Sequence, residues 1–460
     1  MVLAIMAVLF AMLCIYFCRF IIKERNEVIN NPYNTRINLL ANKVSRGTIF
    51  GKNGEVLAET VKNAEGEEYR YYPYGSLFVH TVGYNSHGKS GIEYDMNYEL
   101  LTTEDSFIKK LANDFVGRKD VGNNVYTTLD PNLQRAAYDA LGDYNGAVVV
   151  IEVDTGKVLA MVSKPDFDPN NINELWESLI ADEEEGALLN RTTQGLYTPG
   201  SVFKIITALA YMREHPEALE TFSYTCEGAY KEGGVELTCY HSKVHGKVGF
   251  EAAFALSCNA AFAKMSESIS YETYSKVCEE LLLNTNISAP VVSAISSFVL
   301  AEDSPKYEYL YTMIGQGNTL ITPMYAAVLA AAIANDGIAM TPYMVERVES
   351  ADGEVLSQYK SEKLKTLMSV KEAFVLEGLM KACVDGGTGY KLANLEVDCA
   401  GKTGTAETSS DTTNAWFVGY TMGDIKENIA ICVVVEESGT GSEYAVPVAK
   451  SVIEEYYKAE

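Results

Sequence analysis

Tyr197-Thr198-Pro199-Gly200-Ser201-Val202-Phe203-Lys204-Ile205-Ile206-Thr207-Ala208-Leu209 reads as a turn opening an amphipathic helix, and the chain on either side of it decides the architecture. Helical patterns dominate 202–380, including an Ala-rich run at 325–334. Upstream, 125–129 reads as a strand, and Asp130-Pro131 supplies an N-cap and a first-turn proline for a helix to about Leu141. Two strand runs follow at 146–153 and 157–164, joined by the turn Asp154-Thr155-Gly156. Downstream, strand signals return at 397–406, 415–420 and 428–436, before a helix over about 447–457. Strands at both ends of a module with helices between them predict an α+β fold, one sheet assembled from distant parts of the chain and covered by helices.

The rest of the chain divides in front of that module. Residues 2–18 are an unbroken run of apolar residues and Tyr, and Phe20-Ile21-Ile22 extends it past Arg19 to the length of a bilayer core. The segment runs straight into Arg19, Lys23 and Arg25 with no small-x-small cleavage site, so it reads as a membrane anchor over 1–23 in preference to a cleaved signal peptide. The basic residues follow the helix, which by the positive-inside rule puts that end in the cytoplasm. With no charged residue ahead of the apolar run, a short basic leader upstream of Met1 is expected if the remainder lies on the other side. Cys14 and Cys18 share a helix face as lipid-facing or packing residues. Residues 24–120 form a β-rich module in which Gly51-Lys52-Asn53-Gly54 joins two β-prone runs as a hairpin. The polar stretch 117–124 marks its boundary, and a catalytic module spans 125–460. With 37 Lys+Arg against 62 Asp+Glu the net charge is −25, which repels phosphate backbones and argues against nucleic acid as a partner. Nine Cys form no C-x-x-C pair and only five His are present, which argues against a zinc finger, an iron–sulfur site or a redox dithiol.

Three segments carry chemistry. Ser201 at a helix start has backbone N–H groups and the positive dipole end nearby, and Lys204 lies one turn on. A Lys desolvated until neutral can take the Ser proton. Leu256-Ser257-Cys258-Asn259 offers a hydroxyl that shuttles a proton and an amide that binds a carbonyl. In Ala400-Gly401-Lys402-Thr403-Gly404-Thr405-Ala406, Gly401 and Gly404 let a substrate backbone approach a strand edge, while Lys402, Thr403 and Thr405 suit a carboxylate. Ser-x-x-Lys alone is commonplace; followed in order by Ser-Cys-Asn and Lys-Thr-Gly it is the motif set of penicillin-binding proteins and β-lactamases, with Cys258 replacing the usual Asp.

The chain resembles a class B penicillin-binding protein, a monofunctional peptidoglycan D,D-transpeptidase, and is most similar to the short A-type members. Arg46-Gly47-Thr48-Ile49 with Asn53-Gly54 and Leu57-Ala58 matches the N-terminal module of that class, and Asn31-Pro32 through Arg36 suits the short type. Gly315-Gln316-Gly317 with Thr322-Pro323, and Ala415-Trp416-Phe417-Val418-Gly419-Tyr420, also match. The resemblance implies a penicillin-binding/serine β-lactamase-like domain with a central antiparallel sheet. It implies Ser201 as nucleophile toward D-Ala-D-Ala, Lys204 as base, Ser257 as proton relay and Asn259 as orienting group. Lys402, Thr403 and Thr405 would bind the terminal carboxylate beside Gly404, and the Ser201 and Thr405 N–H groups would form the oxyanion hole. No metal or other cofactor is implied. Implied partners are stem peptides as donor and amine acceptor, β-lactams, the bacterial cell membrane through one helix, and a membrane glycosyltransferase. A β-lactamase-like hydrolase or penicillin sensor, and a non-catalytic wall-synthesis scaffold built on 24–120, stay open as alternatives. His241 and His245 suit structural hydrogen bonds, Cys226 and Cys239 suit a disulfide, Gly386-Gly387-Thr388-Gly389 reads as a turn, and 182–185 reads as a solvated acidic loop.

Overall fold

The computed structural model describes residues 2–23, 35–104, 107–182, 185–232, 234–408 and 412–458. Arg25, residues 31–34 and residues 183–184 lie outside them. The chain forms two compact units, one of residues 1–127, 167–177 and 345–359, the other of 128–166, 178–344 and 360–460.

In the first unit, Val2–Lys23 is one helix with Cys14 and Cys18 exposed on it. Val2–Phe20 has a mean hydropathy of 2.4, long and apolar enough to cross a membrane. A six-stranded sheet runs in the order 355–358, 345–349, 124–127, 49–50, 56–62, 68–71. The expected hairpin is present, with Ile49 opposite Ala58 and Gly54 in the left-handed region at φ +90°. Arg46 is buried and binds the fully buried Glu93 at 2.5 Å and Asn97 at 2.6 Å. Arg70 takes the other Glu93 oxygen at 2.6 Å and the Gly47 carbonyl at 2.6 Å. Burial alone would raise the Glu93 pKa, but the two guanidiniums outweigh it and hold the carboxylate below its usual range.

The second unit is built on a five-stranded antiparallel sheet in the order 399–407, 413–421, 429–435, 146–152, 158–164. The seam between distant chain segments is the pairing of Ile429–Val435 with Gly146–Glu152, every residue of which is buried. Strands covered on both faces need apolar residues at every position, so both read as continuous apolar runs. Ile429, Ile431, Val433, Val148 and Val150 share one face and one core with Leu133, Ala137, Val452 and Ile453 of helices Pro131–Leu141 and Val446–Tyr457. Helix Pro323–Ala334 lies against the sheet as well; Thr322 caps it, accepting from the Tyr325 N–H at 3.1 Å, and residues Pro323 to Ile333 are all buried.

One expectation needs correction. Inside the stretch read as helical, Ser223–Cys226 pairs with Gly246–Gly249, Ala229–Glu232 with Val235–Thr238 and Ile338–Met340 with Lys363–Thr366, and 345–349 and 355–358 join the six-stranded sheet. These strands of three to five residues contain too few apolar positions to register as β patterns beside long helical runs.

Candidate active site

Ser201 lies in a short 3-10 turn, Gly200–Phe203, and the α-helix proper begins at Lys204. Residues Lys204 to Tyr211 are all buried, so this helix is a core helix rather than the amphipathic one expected. The turn is held against its neighbours by close backbone approach. Gly200, at φ +54°, donates its N–H to the Gly315 carbonyl at 2.8 Å, and a Cβ on it would meet the Thr405 carbonyl oxygen at 2.6 Å. A Cβ on Gly404 would meet the Pro199 carbonyl at 3.0 Å. The first and third motifs are thus joined through positions where only hydrogen fits. Ahead of the turn, the Tyr197 hydroxyl donates to Glu436 at 2.5 Å, and Arg191 binds the same carboxylate at 2.9 Å.

The Lys204 amine end is fully buried and contacts Ser257 and Asn259 of the middle motif. Its Nζ lies 2.6 Å from Asn259 Oδ1, 2.9 Å from the Ser257 carbonyl and 3.2 Å from Ser257 Oγ. A neutral amine has two N–H bonds, and the amide and carbonyl oxygens accept both, which leaves the nitrogen lone pair free for a hydroxyl proton. Burial, and after it the positive charge of Lys402, holds the Lys204 pKa well below that of an ordinary lysine. Ser257 itself has φ +53°, a conformation rare for a residue with a Cβ. Cys258 caps helix Asn259–Ser266, its Sγ accepting from the Ala261 N–H at 3.4 Å, and Asn259 Nδ2 donates to the Thr238 carbonyl at 2.9 Å.

The third motif occupies Cys399–Glu407, an edge strand of the five-stranded sheet. Lys402 is fully buried, donates to the Thr403 carbonyl at 3.0 Å and sits 5.7 Å from the centre of the Phe254 ring; burial lowers its pKa. Thr405 Oγ1 accepts the Gly441 N–H at 3.5 Å. Thr403 Oγ1 pairs with Thr388 Oγ1 at 2.5 Å. Thr388, read from the sequence only as part of a turn, therefore contacts the third motif. Its turn, 386–389, does fall after helix Val370–Asp385, and the Thr388 N–H donates to the Ala255 carbonyl at 3.2 Å, two residues before the middle motif. The glycines of that turn were the available signal, since a Cβ on Gly387 would meet the Ala255 carbonyl at 2.3 Å.

Around Cys258 the thiols cluster. Cys226 and Cys239, suggested as a disulfide, are free, with Sγ atoms 3.7 Å apart. Cys239 Sγ lies 3.8 Å from Cys258 Sγ, and His245 Nδ1 lies 3.5 Å from Cys226 Sγ, so His245 belongs to this group and His241 does not.

Residues 146–454 match the penicillin binding protein transpeptidase domain, and residues 46–125 match the penicillin binding protein A dimerisation domain. The peptidoglycan D,D-transpeptidase PbpA of Mycolicibacterium smegmatis is 32% identical over 92% of this chain and 91% of its own length. Among solved structures, a D,D-transpeptidase domain from Eggerthella lenta is 30% identical with a TM-score of 0.81, over 90% of this chain and 98% of that one. The ceftriaxone acyl-enzyme of penicillin-binding protein A from Mycobacterium tuberculosis is 28% identical with a TM-score of 0.81, covering 92% of this chain and 100% of that one. With the fold, the motif order and these likenesses in agreement, this chain belongs to the class B penicillin-binding proteins, in their transpeptidase family.

Proposed function

We propose that this chain is a serine-type peptidoglycan D,D-transpeptidase that forms its acyl-enzyme at Ser201. The observation that carries the reading is the fully buried Lys204 amine, held by Ser257 and Asn259 with its pKa depressed. Ser201 Oγ attacks the carbonyl of the penultimate D-Ala while Lys204 takes the hydroxyl proton. The C–N bond to the last D-Ala breaks, and the proton passes by way of Ser257 to the leaving amine. Lys402, Thr403 and Thr405 bind the terminal carboxylate, and the Ser201 and Thr405 N–H groups hold the oxyanion, where one donor is worth about 3 kcal/mol. An amine of a second stem peptide attacks the ester, forms the cross-link and returns the proton to Ser201. A β-lactam acylates the same serine because its strained amide stands in for the donor.

Residues 1–23 serve as a single-pass anchor, 24–120 as a pedestal or docking module and 125–460 as the transpeptidase domain. The catalytic side is extracytoplasmic, where stem peptides are cross-linked, and a membrane glycosyltransferase supplies the glycan. The apolar helix Val2–Lys23 supports the anchor, and the extracytoplasmic side follows from the transpeptidase reading.

Intact mass spectrometry after incubation with penicillin tests the reading. A stable adduct on wild type that Ser201→Ala abolishes is expected. Rapid turnover of penicillin without accumulation would point to a hydrolase, and no adduct at all to a scaffold.

A further inference from the structure

We propose that Cys226, Cys239, His245 and Cys258 hold a zinc ion that ties the middle catalytic motif to the short strands beside it. The four ligand atoms lie within 4.8 Å of one another. Zn–S bonds of about 2.3 Å and a Zn–N bond of about 2.0–2.1 Å at tetrahedral angles place sulfurs about 3.8 Å apart and sulfur from nitrogen about 3.6 Å apart. Three of the six separations fall at these values, 3.7 Å and 3.8 Å between sulfurs and 3.5 Å between Cys226 Sγ and His245 Nδ1. A disulfide needs about 2.05 Å, so this is the spacing of ligands around a shared centre rather than of a bond. The three cysteines are buried and His245 is half-buried, as in a closed structural site. Backbone N–H groups of Gly228 and Ala261 donate to Cys226 Sγ and Cys258 Sγ at 3.4 Å each, which favours thiolates there. Three thiolates and one imidazole select zinc over hard cations. On binding, three S–H protons leave to solvent, three Zn–S bonds and one Zn–N bond form, and no electrons are exchanged.

The ligands arrive from separate places. Cys226 ends one strand and His245 directly precedes its partner, since Gly246 is the residue opposite Cys226. Cys239 follows strand Val235–Thr238, and Cys258 caps the helix that opens with Asn259. Their spacings of 13, 6 and 13 residues contain no C-x-x-C, so cysteine arithmetic excludes a site that the fold assembles. The position of Cys258 gives the ion a task. Asn259, which holds Lys204, also binds the carbonyl of Thr238, the residue before Cys239. A metal joining Cys239 to Cys258 would fix both flanks of that amide and keep Ser257 in its left-handed conformation. The four cysteine and histidine side chains are positioning residues, and their role in acylation rests on the transpeptidase reading.

The test uses the full chain purified in detergent without chelator. Metal analysis is expected to find about one zinc per chain. Cys226→Ser and Cys239→Ser should lose it, whereas Cys278→Ala and Ser201→Ala should retain it. Exchange with cobalt(II) should give the thiolate charge-transfer and tetrahedral d–d absorption of a site with three sulfur ligands and one nitrogen. Stripping zinc from wild type with a chelator should slow penicillin acylation on the order of 10–100-fold, with recovery on adding zinc. Wild type that carries no metal and has three reactive thiols, a disulfide among Cys226, Cys239 and Cys258, or bound iron or copper overturns the site. Zinc removal that leaves acylation unchanged overturns the positioning role. A zinc-loaded wild type that fails to take up penicillin counts instead against the transpeptidase reading.

Discussion

The chemistry turns on the protonation of one side chain. In the proposed reaction Lys204 is the base and acts only when neutral, so acylation should be slow below its folded pKa and rise as pH climbs through it. Burial sets that value first, and the neighbouring Lys402 charge lowers it further. Replacing Lys402 with Met removes a positive charge, so Lys204 holds its proton to higher pH. The acid limb of the penicillin-acylation profile should therefore move upward in Lys402→Met, whatever happens to the plateau. Ser257 presents a different balance. Its φ of +53° costs a residue with a Cβ about 1 kcal/mol that glycine avoids. Ser257→Gly should raise the melting temperature while acylation falls on the order of 10²-fold through loss of the relay hydroxyl.

At the scale of elements, the site depends on loops seated without side chains between them. A Cβ on Gly315, at φ +82°, would meet the Gly200 carbonyl at 1.7 Å, a separation no relaxation of Ser201's turn can absorb in place. Gly315→Ala should leave the fold measurable by circular dichroism but reduce penicillin acylation more than 10²-fold, since a displacement near 1 Å at the nucleophile has that effect. These elements were unevenly legible in the sequence. Helix Pro131–Leu141 was readable because Asp130 accepts from the N–H groups of Asn132 and Leu133, and the strands within 146–164 because apolar runs, Ala147–Ile151 and Val158–Val162, flank a Gly-containing turn. The candidate set of Ser201, Lys204, Ser257, Asn259 and the third motif came from the order of the motifs along the chain, and the structure brings Lys204, Ser257 and Asn259 into contact. The short strands around Cys226 and Cys239 were not, because four residues with one buried side carry no period. Thr388 was not, because its contact with Thr403 exists only after a helix end folds onto an edge strand.

For the molecule as a whole, two units carry separate loads. In the first, the single carboxylate of Glu93 lies between two guanidiniums inside the protein, those of Arg46 and Arg70. Glu93→Gln leaves both without their countercharge and should destabilise the protein by about 3–5 kcal/mol in denaturant titration. Because Glu93 has a depressed folded pKa, its stabilisation is present above about pH 4.3 and lost as pH falls through the folded value. The mutant should lose that segment of the acid-unfolding curve, while its penicillin acylation at 25 °C stays within about twofold of wild type. In the second unit the decisive feature is the seam between Gly146–Glu152 and Ile429–Val435. Pairing across so long an interval is slow and concedes much loop entropy before it is rewarded. During synthesis the early hairpin therefore waits, with one apolar flank bare, until residues 429–435 have left the ribosome. A messenger cut short before codon 429 would yield a polypeptide prone to clumping rather than a weakened catalyst, and holdase chaperones become part of how this protein is made.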